Sequence, residues 1–204
     1  MKTHYSLALC FVVLSAPSIV FAEELIDWKV GTKFSYIQKD LWNKEINRWQ
    51  ESVVRKDGEN FVVEYTDQQS SIEYIVSPTG NYTRPMPRAA GTFSYTLVKI
   101  PMIEGAEWDY RYHYIGSNMN MPAQISRQCK AGKMEELEVP AGKFSARKYE
   151  CKGSWTSTAG SAGTGNKTAW FAPNIGVVIK SIDTSQYFGG RDQNTFVLDS
   201  IQRP

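Results

Sequence analysis

Between Glu138 and Ser181 the chain reads EVPAGKFSARKYECKG, then a Gly/Ser/Thr run, then TAWFAPNIGVVIKS, and this stretch limits the possible folds more than any other. Pro140 fixes φ at the first position of a tight turn, and Gly142 supplies the positive φ that closes it. On both sides apolar and polar residues alternate with period two, the pattern of a half-buried strand. A second unit follows, in which Pro173 holds Ala172 extended and Gly176 closes another turn. Both units are scaffolding for a sheet and carry none of the side chains that bond-breaking usually needs.

The same alternation recurs along the chain in short runs bounded by Gly, Pro, Asn and Asp, with no sustained 3.6-residue period. It predicts strands at 33–38, 46–55, 60–66, 71–77, 92–99, 107–115, 123–129, 134–139, 143–152, 168–171, 177–183 and 194–201. Only Leu25 to Lys29 and Gln38 to Trp49 accommodate short helical turns. Many antiparallel hairpins without a βαβ rhythm predict a mainly β protein: a curved antiparallel sheet forming an open or partial barrel, with a β-sandwich as the alternative. Gly153 to Gly165, GSWTSTAGSAGTG, is small and polar and reads as a mobile surface loop, in which Trp155 is either a lid over an apolar opening or a pin to the sheet. Gly31 to Tyr36 and Gly105 to Tyr110 share the pattern Gly-x-x-aromatic-x-Tyr and mark two similar strand openings, although six residues do not establish a duplication.

Residues 1–22 read as a secretory signal peptide: Lys2, an apolar run from Tyr5 to Phe21, and small residues Val20 and Ala22 before the cleavage point. Cys10 is a poor lipid-attachment site, because the bulky Leu9 precedes it. No later stretch approaches the roughly 18 uninterrupted apolar residues of a spanning helix, so the reading is a soluble periplasmic chain with no transmembrane segment. Residues 23–204 form a single β-rich domain. Of 23 basic and 21 acidic residues the leader removes one basic residue, leaving a net charge of about +1 and no reason to expect nucleic acid as a partner. Cys129 and Cys151 are the two cysteines that remain, and an exported pair is expected to be bonded. A hairpin folded about Pro140 brings them opposite one another if a bulge at Ala131-Gly132 absorbs the mismatch.

Tests of specific chemistry come back empty, so neither catalytic residues, nor a metal site, nor a cofactor is assigned. Gly160 to Thr168 imitates a phosphate loop, but Asn166 separates the last Gly from Lys167 and a strand follows. His113 is the single histidine after the leader, and no nucleophile elbow accompanies it. Glu135, Glu136 and Glu138 are ordinary solvated charges beside a turn.

The strand from Trp108 to Tyr114 is the best ligand-facing candidate. Period two puts Trp108, Tyr110, Tyr112 and Tyr114 on one face, and three phenols fully buried there would need partners. The strip has two readings, the plainer one of packed core and the sharper one of the wall of an apolar groove, to which Trp155 and Trp170 would contribute.

The Val-Pro-Ala-Gly-x-Phe turn, the downstream Trp-Phe-Ala-Pro-x-x-Gly-x-Val segment and the upstream Gly-x-x-Trp-x-Tyr strand resemble bacterial envelope proteins with the TapB-like domain of unknown function. The resemblance covers Gly105 to Ser181 well and the N-terminal third loosely. It implies a β-rich exported domain and brings no catalytic residue with it. Members look like relatives of curved-sheet carriers of lipids and lipoproteins, an analogy of fold alone. Two functions follow: a non-catalytic periplasmic protein binding a lipid or other apolar or amphipathic ligand on its sheet, or an interaction module whose partner is an envelope protein bound at an edge strand.

Overall fold

The structure is a computed structural model that describes residues 25–85, 92–115, 122–158 and 160–204. These residues form twelve strands: β1 (Lys33–Lys39), β2 (Glu45–Asp57), β3 (Asn60–Asp67), β4 (Ser71–Val76), β5 (Asn81–Pro85), β6 (Thr92–Thr96), β7 (Glu107–Ile115), β8 (Pro122–Val139), β9 (Gly142–Ser157), β10 (Ala162–Ala172), β11 (Val177–Tyr187) and β12 (Gly190–Gln202). They make one antiparallel sheet in the order β6-β5-β4-β3-β2-β1-β12-β11-β10-β9-β8-β7. Bulges in β2, β8, β11 and β12 bend it. The two edge strands are brought side by side without hydrogen-bonding, which leaves an unsealed barrel rather than a sandwich.

Alternation builds the interior. Phe34 and Tyr36 of β1, Phe61 and Val63 of β3, Tyr74 and Val76 of β4, and Tyr149 and Cys151 of β9 all enter one continuous buried cluster. One end is stoppered by two non-strand segments. Ile26 and Trp28 are buried there: the Ile26 amide donates to Pro78 O (3.0 Å) and the Trp28 indole N–H to Ile175 O (2.8 Å). Beside them lie Val98, Ile100 and Met102 from the β6–β7 connection.

These two segments are copies of one another. Gly31 (φ 93°) donates to Val53 O, and Val53 N donates to Thr32 O; Gly105 (φ 80°) donates to Ala131 O, and Ala131 N donates to Ala106 O. Val53 and Ala131 each stand at the start of a bulge. Five residues before each glycine is a buried isoleucine, Ile26 or Ile100, and three before it a buried Trp28 or Met102. The short echo in the sequence thus marks a twofold repeat of a six-strand meander, β1–β6 and β7–β12, joined through β1 and β12.

Cys129 and Cys151 face each other across β8 and β9 and are bonded, Cα to Cα 4.0 Å, with the expected bulge between Ala131 and Met134. A crosslink between residues 22 apart stabilises the fold by roughly 3 kcal/mol in the chain-entropy model. Beyond the bulge the hairpin arches over to β12, where Ala141 N donates to Leu198 O (3.3 Å).

Several local expectations differ from the structure. Neither Leu25–Lys29 nor Gln38–Trp49 is helical: the first is held extended by its contacts in the stopper, and the second is a strand end, a turn and the start of β2. The segments 123–129 and 134–139 are one bent strand. The strand β5 went unseen, because its five residues follow a Pro-Thr-Gly turn directly. Most of the Gly153–Gly165 run is not a loop, since β9 continues to Ser157 and β10 begins at Ala162.

Candidate functional site

Because β6 and β7 are not paired, the base of their seam stays open. The opening measures about 390 Å³ and is lined by Thr79, Asn81, Thr96, Lys99, Ile100, Glu107, Trp108 and Asp109. Three consecutive residues of β7 can line one opening only at a strand edge, since neighbours point to opposite faces. The rim is polar and tied together: Asn81 donates to Thr79 Oγ1 (3.2 Å), Thr96 donates to Asn81 Oδ1, and Lys99 Nζ donates to Glu107 O (3.3 Å). Lys130 Nζ lies 2.8 Å from the Glu107 carboxylate and holds its pKa below the ordinary value. Ile100 and Trp108 supply the apolar wall. Trp108 leans on Tyr149, ring centroids 5.4 Å apart, and its indole N–H has no partner among the described residues.

Inside the sheet, Tyr110, Arg127, Gly153 and Gly165 share one cross-strand row, and Trp108, Cys129, Cys151, Lys167 and Asp183 the next. The Arg127 side chain crosses β9 and β10 to grip Asp183 with two hydrogen bonds of 2.7 Å, and it sits 3.4 Å from the Tyr110 hydroxyl. Only glycine permits that path. A Cβ at Gly153 would lie 2.9 Å from Arg127 Cγ, and one at Gly165 3.2 Å from an Arg127 terminal nitrogen. Arg127 is 5 % exposed, and the fork to Asp183 compensates for its desolvation.

Lys167 lies beside this pair, its ammonium 5.8 Å from the Phe196 ring centroid. Enclosure of the ammonium lowers its pKa to about 8; Asp183 opposes the fall and Arg127 adds to it. Burial likewise pushes the Tyr149 phenol well above its usual value, reinforced by Tyr110, and the Tyr149 hydroxyl has no hydrogen-bond partner among the described residues. A smaller cleft of about 90 Å³ lies among Tyr36, Trp49, Glu51, Tyr82 and Phe196. Its rings are largely stacked on one another, Tyr36 on Trp49 at 5.0 Å and Trp49 on Tyr65 at 6.3 Å, so their faces are already used.

The residues singled out in the sequence are distributed as follows. Trp108 lines the seam opening. Tyr110 is buried behind it and stacks on the half-buried Tyr112 (5.6 Å, 14°). Tyr114 stands opposite Ala123 in the ladder, and its side chain and that of His113 lie outside the described residues. Trp155 belongs to β9, opposite Ile125 and Gly163, where a Cβ on Gly163 would come within 2.7 Å of its indole nitrogen. Trp170 alternates with Ala169 and therefore faces the other side of β10; its indole donates to Glu135 (2.8 Å) and Lys180 Nζ lies 5.2 Å from its ring centroid. The strip Trp108–Tyr110–Tyr112 comes together, while Trp170 is apart from it.

Sequence reasoning missed the polar half of both places. Arg127 and Asp183 are 56 residues apart and look like ordinary surface charges. A signal existed in Gly153, Gly163 and Gly165, whose spacing strips the side chains from one face of two neighbouring strands.

No protein-family model matches the chain, and no curated protein matches it. Among solved structures it is similar to a Bacteroides fragilis protein assigned to export and having a YmcC-like fold, with 19% identity over 89% of this chain and 100% of that one, at a TM-score of 0.61. It is also similar to a Parabacteroides distasonis protein assigned as a lipoprotein, with 17% identity over 88% and 98% of the two chains, at a TM-score of 0.54. At these identities the likeness is one of fold: the chain has a YmcC-like architecture.

Proposed function

We propose that the protein is a non-catalytic binding protein of the bacterial envelope that takes an amphipathic ligand on its curved sheet, at the seam beside Trp108. The carrying observation is the opening of about 390 Å³, which sets an apolar wall of Trp108 and Ile100 against a rim of hydroxyl, amide and charged groups. The volume suits a short amphiphile or the end of a longer one. Tyr110 and Tyr112 extend the aromatic surface inward from Trp108. The leader-like N-terminus, the resemblance to TapB-like envelope proteins and the fold shared with proteins assigned to export or lipidation all support placement in the periplasm.

Decanoate and dodecyl maltoside titrated against intrinsic tryptophan emission test this. Saturable quenching is expected, weakened by Trp108→Leu and by Thr96→Arg, which fills the opening from its exposed rim. Binding that is absent, or indifferent to both substitutions, refutes it. A second reading is favoured by the unpaired edges of β6 and β7, to which an envelope protein could add a strand. Native mass spectrometry of the exported protein separates the two, through a retained small molecule or a retained polypeptide.

A further inference from the structure

Among the large hydrophobic residues described, Trp42 (82 % exposed) and Phe188 (104 %) are the most exposed, accompanied by Leu41 (42 %) and Tyr187 (46 %). They occupy the apices of two hairpins, β1–β2 and β11–β12. Because β1 pairs antiparallel with β12, both apices lie at the same end of the sheet, opposite the end stoppered by Trp28. We propose that these apices insert into the surface of a lipid bilayer and orient the sheet on it, independently of what the seam binds.

The apices are built to hold their aromatic residues outward. Asp40 Oδ1 accepts from the backbone N–H groups of both Trp42 and Lys44 (2.9 Å each), the Asn43 amide donates to Asp40 O, and Asn43 takes φ 62°. Trp42 is thus fixed at the crest of a closed turn and not left on a slack loop. In the other hairpin Tyr187 pairs with Gly190, leaving Phe188 and Gly189 (φ 97°) as a two-residue crest. A Cβ at Gly190 would sit 3.1 Å from the Tyr187 ring, so the ring lies against the hairpin and Phe188 alone projects. Rigid display of a solvated Trp and Phe has no role in the fold.

The shape and charge of these two crests favour a bilayer over a protein partner. Two separate crests of one or two side chains each fall far short of the roughly 800 Å² per partner that a stable protein interface buries. A bilayer needs no continuous patch: Trp and Phe enter the interfacial layer singly, with polar groups behind them at headgroup depth. Behind these crests stand Lys39, Asp40, Lys44 and Glu45, and Arg191 and Asp192, balanced in sign. Insertion should therefore depend on the apolar tips and little on anionic lipid or salt.

Protein purified after export, its leader removed by the cell, is sedimented with phosphatidylcholine vesicles with and without phosphatidylglycerol, at low and high salt. Binding to both vesicle types at both salt levels is expected, and Trp42→Ser with Phe188→Ser should weaken it by at least about tenfold without altering thermal unfolding. Trp42 is the one strongly exposed indole among the six, so brominated phospholipid should quench part of the native emission. Trp42→Phe should keep sedimentation and lose that quenching. The proposal is overturned if wild type does not sediment, if the double serine variant sediments like wild type, if binding vanishes in high salt, or if the double substitution acts only by dissolving a dimer seen by analytical ultracentrifugation without vesicles.

Discussion

Lys167 offers a prediction that can be worked through from its surroundings. Its ammonium titrates at about 8, held down chiefly by enclosure and further by Arg127, against roughly 10.4 in an unfolded chain. Between those values the unfolded state binds the extra proton, so stability rises with pH across this window and is lowest below it. A single group shifted this far costs the fold up to about 3 kcal/mol at pH 7, of which about 2 kcal/mol should be recovered by pH 9.5. The window closes near pH 10. There Tyr36 and Tyr149, whose burial raises their pKa values well above the usual one, begin to cost stability, because the unfolded phenols ionise first. Lys167→Met keeps the length of the side chain and its contact with Phe196 while removing the charge. Urea unfolding at pH 7, 8.5 and 9.5 should show wild type gaining stability and the variant level, with the variant ahead at pH 7. Parallel profiles for the two proteins would refute the reasoning, since the ammonium would then be titrating as in water.

Asp183→Asn leaves a buried guanidinium without its carboxylate and should cost about 2–4 kcal/mol in urea unfolding, somewhat less than a fully enclosed pair because Asp183 is 31% exposed. Gly153→Ala would place a Cβ 1.9 Å from Ser126 O, and a melting-temperature loss larger than that of Gly58→Ala, whose Cβ meets nothing, is expected. Trp170→Ala should lose about 3–5 kcal/mol by thermal or urea unfolding and leave decanoate binding at the seam intact, because Trp170 faces away from Trp108. Non-reducing peptide mapping should recover the Cys129 and Cys151 peptides as one linked species, and two alkylatable thiols would contradict the observed pairing.

The sheet was legible because strand formation here is written locally. Period-two alternation and the turns at Pro140–Gly142 and Pro173–Gly176 declare themselves within a few residues, and the cysteine pair, 22 residues apart, follows from the first of those turns. The Gly153–Gly165 run misled for a physical reason: glycine and serine lower intrinsic strand preference, but here they clear a path for Arg127, whose partner Asp183 is on a third strand. Its strand character is tertiary, and its one local trace is the spacing of Gly153, Gly163 and Gly165. The candidate site was half legible. Trp108, Tyr110 and Tyr112 were marked by spacing, whereas Thr79, Asn81, Thr96 and Lys99 reach Trp108 only because the two edges of a twelve-strand sheet come round to meet, and no local pattern encodes that closure.

The twofold repeat bears on how the ring can move. Where the first and last strands meet, the halves are laced by the β1–β12 ladder, and a Cβ at Gly31 would touch Pro204 at 3.2 Å. Where the halves are covalently continuous, between β6 and β7, no ladder forms. The two halves are thus fastened by a ladder between β1 and β12 and unfastened across the segment that joins β6 to β7. Among the described residues, separating the edges at the seam sacrifices no main-chain pairing and strains only the sheet's own twist, so the sheet has the mechanics of a spring clip whose jaws are β6 and β7. Opening of the seam then requires bending and not unfolding, and a bond stapling β6 to β7 would stiffen the clip while leaving every described strand pairing as it stands.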